Sequence, residues 1–387
     1  MKTTDRTSIR RRLEIGRASY RPPWGRRKVA HRTIVAPLGA TIAASVAVGV
    51  AVVLARATRE RHAQPLPDRE RRLGLKPDET LAHGLRRMAL SQVDLAIEEL
   101  NGTSAGGKNA EKAVHETRKA LKRLRALLRL LRRELGEDAF AREDAAVRDI
   151  ARRLSGARDA EVMLATLDTL VKRHPRKLAR RKGVQGLRRA LLAEHERVER
   201  QALGDSVALE HVLTQLRVLR VRVATWPLRD RDGTRLVDAG LRDLYGQGRK
   251  RFKRAKRRRG KDTRAMHLWR KRVKDLRYVA EMLERRPRPK KKRRGRSARL
   301  HHLADRADTL AEILGEDHDL AVLAERVRDE AKSGKRARKG SKRVGRGTRK
   351  TLLKLIARRR RKLRKRALHE GEHLYRRGPK KLLRALS

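Results

Sequence analysis

Cysteine is absent from all 387 residues, which removes disulfides, thiolate chemistry and cysteine-bound zinc together. Aromatic residues are nearly as scarce. Three Trp, four Tyr and two Phe make up 2% of the chain, few for the stacking platforms that hold nucleobases. Acidic residues are outnumbered, 45 Asp and Glu against 106 Lys and Arg, for a formal net charge of +61. Such an excess fixes no fold but selects partners, because it attracts polyanions and repels itself. Period-two alternation is almost missing, and there is no strand–helix–strand rhythm. No P-loop, G-x-G-x-x-G or G-x-S-x-G occurs. What is present is a hydrophobic fraction of 38%, chiefly Leu, Ala and Val, enough to build a core.

The chain divides by composition. Residues 1–32 are a basic leader carrying Arg10-Arg11-Arg12 and Arg26-Arg27-Lys28, with no hydrophobic periodicity. Thr33 to Ala55 has no charge over a length that a helix needs to cross a bilayer, roughly 20 residues. A single transmembrane or anchoring helix is expected there, although Pro37, Gly39 and Gly49 keep its hydrophobicity moderate. A cleaved signal peptide fits less well, because the leader before the apolar run is long. The basic leader favours a cytoplasmic N-terminus, while Arg56, Arg59 and Arg61 flank the other end and leave the orientation open. Residues 56–77 form a Pro-containing linker, and 376–387 a basic tail.

Between them, residues 78–375 read as consecutive amphipathic helices, an all-α domain. Expected helices run about 79–100, 109–135, 139–154, 158–173, 178–203 and 207–224, then 234–257, 262–285, 298–314, 318–331 and 347–376. The basic runs Arg285–Arg299 and Lys332–Lys350 read as solvated loops.

The two series repeat one another, about 78–225 against about 233–375. Gly84-Leu85-Arg86 recurs as Gly240-Leu241-Arg242, at an offset of 156. His115-x-x-Arg118-Lys119-x-x-Lys122-x-Leu124-Arg125 recurs as His267-x-x-Arg270-Lys271-x-x-Lys274-x-Leu276-Arg277, at 152. Leu154…Arg158-Asp159 recurs as Leu314…His318-Asp319, at 160. Ordered anchors at nearly one offset indicate a duplicated helical unit.

The second anchor carries the chemistry. On a helix His115, Arg118, Lys122 and Arg125 fall in one stripe about 80° wide, with Leu121, Leu124, Leu127, Leu128 and Leu131 opposite. His267, Arg270, Lys274 and Arg277 repeat that stripe against Val273, Leu276, Val279, Ala280 and Leu283. Neighbouring cations in such a row are roughly 5–6 Å apart and repel unless something anionic lies between them. A chain of phosphates meets that need. A single charge run is usually a solvated face, but recurrence of the same types at the same positions argues for function. The histidine heading each stripe can donate to phosphate and gains charge as pH falls; its plainer role is a helix-start histidine bonded to backbone.

These residues resemble the CHAD family, the conserved-histidine α-helical domain, over about residues 76–375. The resemblance implies two pseudo-symmetric helical bundles enclosing a basic groove that binds inorganic polyphosphate, at a granule or beside polyphosphate-metabolising domains. Carried over, the binding positions are His115, Arg118, Lys119, Lys122 and Arg125 with His267, Arg270, Lys271, Lys274 and Arg277. Arg158 and His318, each before an Asp at an expected helix start, are second-tier positions where phosphate would also meet free backbone N–H groups. The leader with its apolar segment departs from the domain and bears on location.

Catalysis is not expected. Members of the family are often fused to a triphosphate-tunnel enzyme using an E-x-E-x-K strand, and the nearest match here, Glu194-His195-Glu196-Arg197-Val198, lacks the lysine and lies in a helical pattern. His369-Glu370-Gly371-Glu372-His373 fits H-E-x-x-H formally, but has a central glycine and no evident third ligand. His301-His302 reads as a solvated pair. No metal or cofactor is therefore called for. The chain is expected to bind polyphosphate, to tether or organise it, and to meet anionic lipid through its anchor. The rival reading is a non-sequence-specific nucleic-acid binder, which the charge permits and the lack of aromatics disfavours.

Overall fold

Leucine and alanine at three- and four-residue spacing can be buried most simply by packing helix on helix. The computed structural model of the chain is built that way. It describes residues 73–76, 79–102, 110–154, 156–204, 206–230, 234–284, 295–333 and 344–386, except for the side chains of 110–111, 156–160, 198–204, 206 and 331–333. The basic leader, the Thr33–Ala55 segment and most of the linker lie outside the described residues. Among the described residues no helix is long and apolar enough to cross a membrane.

The first repeat holds α1 (Leu81–Asn101), α2 (Ala110–Leu130), the single turn α3 (Arg132–Leu135), α4 (Glu137–Arg153), α5 (Gly156–Arg173), the single turn α6 (Pro175–Leu178), α7 (Lys182–Gly204) and α8 (Ser206–Ala224). The second holds α9 (Arg235–Arg257), α10 (Thr263–Leu283), α11 (Gly295–Ser333), α12 (Arg346–Leu374) and α13 (Pro379–Leu386). Side-chain caps start two of them. Thr80 accepts from the His83 N–H ahead of α1, and Asp262 accepts from the Ala265 N–H at 2.9 Å ahead of α10.

Packing follows the repeat. Helix α1 lies against α2 and α8, as α9 lies against α10 and α13; α5 lies against α7, as α11 lies against α12. The halves join where α2 packs on α10, and one hydrophobic core runs through both, from Leu75 to Leu386. The repeated glycine has a physical reason in each half. A Cβ on Gly84 would come within 2.6 Å of the Leu75 side chain, and one on Gly240 within 1.9 Å of the Leu130 carbonyl oxygen. At Gly240 the helix meets backbone too closely for any side chain, whereas at Gly84 it meets the side chains of Leu75 and Glu79.

Three expectations need correction. The helices expected at 298–314 and 318–331 are one, α11, of 39 residues. Gly315 between them costs a helix only about 1 kcal/mol, and burial of Leu310, Leu314, Leu320 and Leu323 on both sides of it outweighs that. Its first residues also take up the end of the expected Arg285–Arg299 loop. The basic tail 376–387 is mostly helix α13, which buries Leu382 and Leu386, and the Arg299 guanidinium donates to the Leu386 carbonyl at 3.2 Å. Finally, the end of the linker is docked. Leu75 is buried and its N–H donates to the Glu284 carbonyl at 2.9 Å.

Three buried acidic residues sit where helices meet. Asp94 pairs with Arg220 to tie α1 to α8, Glu143 with Arg222 to tie α4 to α8, and Asp317 with Arg360 and Arg364 to tie α11 to α12. These three carboxylates are buried and each is matched by arginine from another helix.

Candidate functional site

Helices α2 and α10 are oriented by their apolar faces. Leu121, Leu124, Leu127 and Leu128 are buried, as are Val273, Leu276, Val279 and Ala280, so the opposite stripes are turned away from the core. Because α2 and α10 also pack on each other, the two stripes meet at one seam. Arg129 Nη1 donates to Asp275 Oδ1 at 3.2 Å across it, and the Arg123 guanidinium lies 5.9 Å from the Tyr278 ring centroid.

At this seam the cations of one repeat act on those of the other. Burial, then the charges of Arg270 and Lys122, bring the Lys274 pKa down to about 8, with Asp319 opposing them. Burial, then Arg125, Arg272, Arg129 and Arg270, lower that of Lys271. Lys122 and Lys274 are equivalent residues of the repeat, and the charge of one acts on the other across the seam.

Other predicted positions are already spoken for within the protein. Arg125 forms a two-bond pair with Asp144, at 2.9 and 3.0 Å. Burial raises the Asp144 pKa, but that pair and the charges of Arg125, Arg129 and Arg148 win and hold it below the usual range. Arg118 Nη1 donates to the Leu154 carbonyl at 2.8 Å, at the C-terminal end of α4 where a cation is favoured. Lys119 pairs with Glu116 at 3.0 Å, and Arg277 with both Glu281 and Asp308. The expectation that an external anion must separate every pair of neighbouring cations therefore fails for these residues, because carboxylates of other turns and helices do so. Lys122 is exposed and Arg270 and Lys274 half-buried, while Lys271 keeps an exposed side chain although its neighbours partly desolvate it.

The histidines differ from one another. His115 is half-buried in α2. The His267 and His318 rings stack, with centroids 4.5 Å apart and planes 26° apart. His318 is thus brought to the site, but from well inside α11 and not from a helix start, so no free N–H groups adjoin it. Its Nδ1 lies 3.2 Å from Asp319 Oδ1. Burial, then His318, Lys271 and Arg270, push the His267 pKa down to about 4. Arg158 stands in the first turn of α5, and its side chain lies outside the described residues.

A cleft of about 380 Å³ opens between α5, α10 and α11. Arg270, Lys274 and Arg277 line it from α10, Arg173 from α5, and Asp308 and Glu316 from α11. Asp308 is held by Arg277, and Glu316 by Arg173 and Arg359. The repeat did not reveal Arg129, Arg173 or Arg272. Arg129 does fall on the first stripe, but its equivalent in the second repeat is Glu281, so matching the halves hides it.

Among the described residues, no group of three or more His, Asp or Glu is placed to hold a metal ion. In His369-Glu370-Gly371-Glu372-His373 the glycine is structural. A Cβ there would come within 2.6 Å of Phe252 and Trp269, and Glu372 pairs with Lys256 at 2.6 Å. Glu194, His195 and Glu196 lie within helix α7.

Comparison with known proteins agrees with the all-α fold. The family model described as "CHAD domain" matches residues 87–328. The crystal structure of the CHAD domain from the plant Ricinus communis is similar at 19% identity with a TM-score of 0.56, covering 79% of this chain and 97% of that one. At that identity the likeness is one of fold. No curated protein matches the chain.

Proposed function

The chain belongs to the CHAD domain family, and from that premise we propose that it binds inorganic polyphosphate along the seam between α2 and α10. The observation that carries this reading is the crowding of cations from both repeats at the seam. Burial first, and then cations from both repeats, make Lys271 and Lys274 harder to protonate. Crowding of that kind is relieved by an anion, and a chain of phosphates supplies one at each step. Lys122, Lys271, Arg270 and Lys274 are the proposed contacts. Arg118, Arg125 and Arg277 hold neighbouring helices in place and set the positions of the others.

The aromatic residues favour polyphosphate over nucleic acid. Trp226, Trp269, Tyr245, Tyr278, Tyr375 and Phe252 are all buried, and half-buried Phe140 is covered by the Arg132 guanidinium 4.9 Å from its ring centroid. Among the described residues, none offers a face for a base to stack on. In this reading the chain binds its ligand without transforming it, and Thr33–Ala55 anchors the domain to a membrane.

The test is competition at fixed salt between long-chain polyphosphate and duplex DNA of equal phosphate concentration. Polyphosphate should displace DNA at a small fraction of its concentration. Equal competition, phosphate for phosphate, would show that net charge alone governs binding.

A further inference from the structure

Lys274 stands in the cleft between α5, α10 and α11 in a setting unlike that of a surface lysine. Arg270 and Arg277 flank it one turn away on its own helix, and Arg173 enters from α5. Lys122 acts on it from α2. The carboxylates near it are engaged by other groups, although Asp319 also sets an opposing charge against it. Asp308 is held by Arg277, Glu316 by Arg173 and Arg359, and Asp319 lies against His318 Nδ1 at 3.2 Å. Glu312, the remaining one, is exposed. Lys274 itself is half-buried and has no ion-pair partner among the described residues.

A lysine so placed combines two properties. Its amine is held near neutrality by burial and like charge, which is how proteins make lysine nucleophilic. Its neighbours are guanidinium groups, and one already bonded to a carboxylate keeps further N–H donors for a phosphate. The cleft is small, about 380 Å³, near the lower limit for ligand pockets, and Leu170, Ala311 and Leu320 give it an apolar part. It suits a ligand of a few heavy atoms with one phosphate and a short carbon end.

We propose that this cleft is a lysine-acylation site, in which a small acyl phosphate docks its phosphate on Arg173, Arg270 and Arg277 and transfers its acyl group to Lys274 Nζ. The amine lone pair attacks the carbonyl carbon, and the carbon–oxygen bond to phosphate breaks. Inorganic phosphate leaves with that electron pair, and the nitrogen gives up one proton to it. The products are an N-acyl-lysine and inorganic phosphate, with no redox change. With its pKa near 8, about a quarter of Lys274 is neutral at pH 7.5, against about one in a thousand for an ordinary lysine. Acylation removes one cation from the seam. Its effect on polyphosphate affinity rests on the function proposed above, whereas the acylation itself does not.

The experiment treats the full chain with acetyl phosphate at pH 7.5 and follows each lysine by peptide mass spectrometry. A parallel series uses the uncharged N-hydroxysuccinimide ester of acetate. With acetyl phosphate, Lys274 should react about tenfold faster than exposed Lys354 and Lys365 of α12, and inorganic phosphate should slow it. Arg173→Gln should slow Lys274 labelling by acetyl phosphate and leave labelling by the ester unchanged, with the melting temperature serving to confirm the fold. Labelling that tracks exposure, or the same preference with both donors, would overturn the proposal. Selective acetylation of Lys274 with unchanged polyphosphate affinity would uphold the acylation and count against the seam as the polyphosphate site.

Discussion

The seam reading can be separated from simple charge attraction by two variants of equal charge. The first carries Lys122→Gln, Lys271→Gln and Lys274→Gln. The second carries Lys354→Gln, Arg358→Gln and Lys365→Gln, three exposed cations on the outer face of α12. Each removes three positive charges from a formal +61, so a protein held only by its net charge would lose the same affinity from both. At the seam the losses are specific. Lys122 and Lys271 are exposed, where an ionic contact is worth about 1 kcal/mol, and half-buried Lys274 should give about 2 kcal/mol as a charge-assisted bond. The total of about 4 kcal/mol is nearly a thousandfold in dissociation constant. The slope of log affinity against log salt should also fall by about 2, at roughly 0.7 per phosphate contact on a flexible single chain. For the α12 variant, screening should limit the loss to about tenfold. Stability provides the internal control, because the seam variant removes the repulsion between Lys122 and Lys274 and should keep its melting temperature within a few degrees of the parent's. Fluorescence titration with labelled polyphosphate at several salt concentrations reads both quantities. Equal losses from the two variants, or a seam loss that follows a lowered melting temperature, would refute the reasoning.

Three further outcomes follow from other parts of the molecule. Because burial pushes the His267 pKa from 6.5 to about 4, the folded state favours the neutral ring, so the stability this gives is full above about pH 6.5 and is lost as pH falls toward 4; His267→Gln should flatten that part of a urea-melt pH profile, by at most about 3 kcal/mol. Gly240→Ala should destabilise by at least about 2 kcal/mol, since its Cβ would come within 1.9 Å of the Leu130 carbonyl, whereas Gly246→Ala in the same helix meets only Pro379 Cγ at 3.5 Å and should gain about 0.5–1 kcal/mol; thermal melts giving the two changes the same sign would contradict the packing. If Thr33–Ala55 is an anchor, the full chain should stay in the membrane fraction after high-salt and alkaline washing, and a chain beginning at Pro67 should not; it must begin before Leu73, because Leu75 is docked on Glu284.

The apolar stripes of α2 and α10, the repeat that relates them and the cation rows opposite were all legible in the sequence. Each is set by residues three or four positions apart, and local spacing alone decides which face of a helix they share. The two buried glycines were legible as a repeat, though not as contacts. Which cations are available could not be read in the same way. Arg125 meets Asp144, 19 positions away, and Arg129 meets Asp275, 146 positions away. No periodicity within one helix reports a carboxylate delivered by another. The stacking of His267 on His318 is hidden for the same reason, and so is the cleft around Lys274, which exists only where α5, α10 and α11 converge. The unbroken α11 shows tertiary burial overriding a local signal, since Gly315 reads as a break until leucines on both sides of it find a core. The sequence by itself thus determined that two like helices each carry a row of cations. Tertiary structure decided that the rows meet and which charges are neutralised there, because electrostatic energy depends on distance in space and not on separation along the chain.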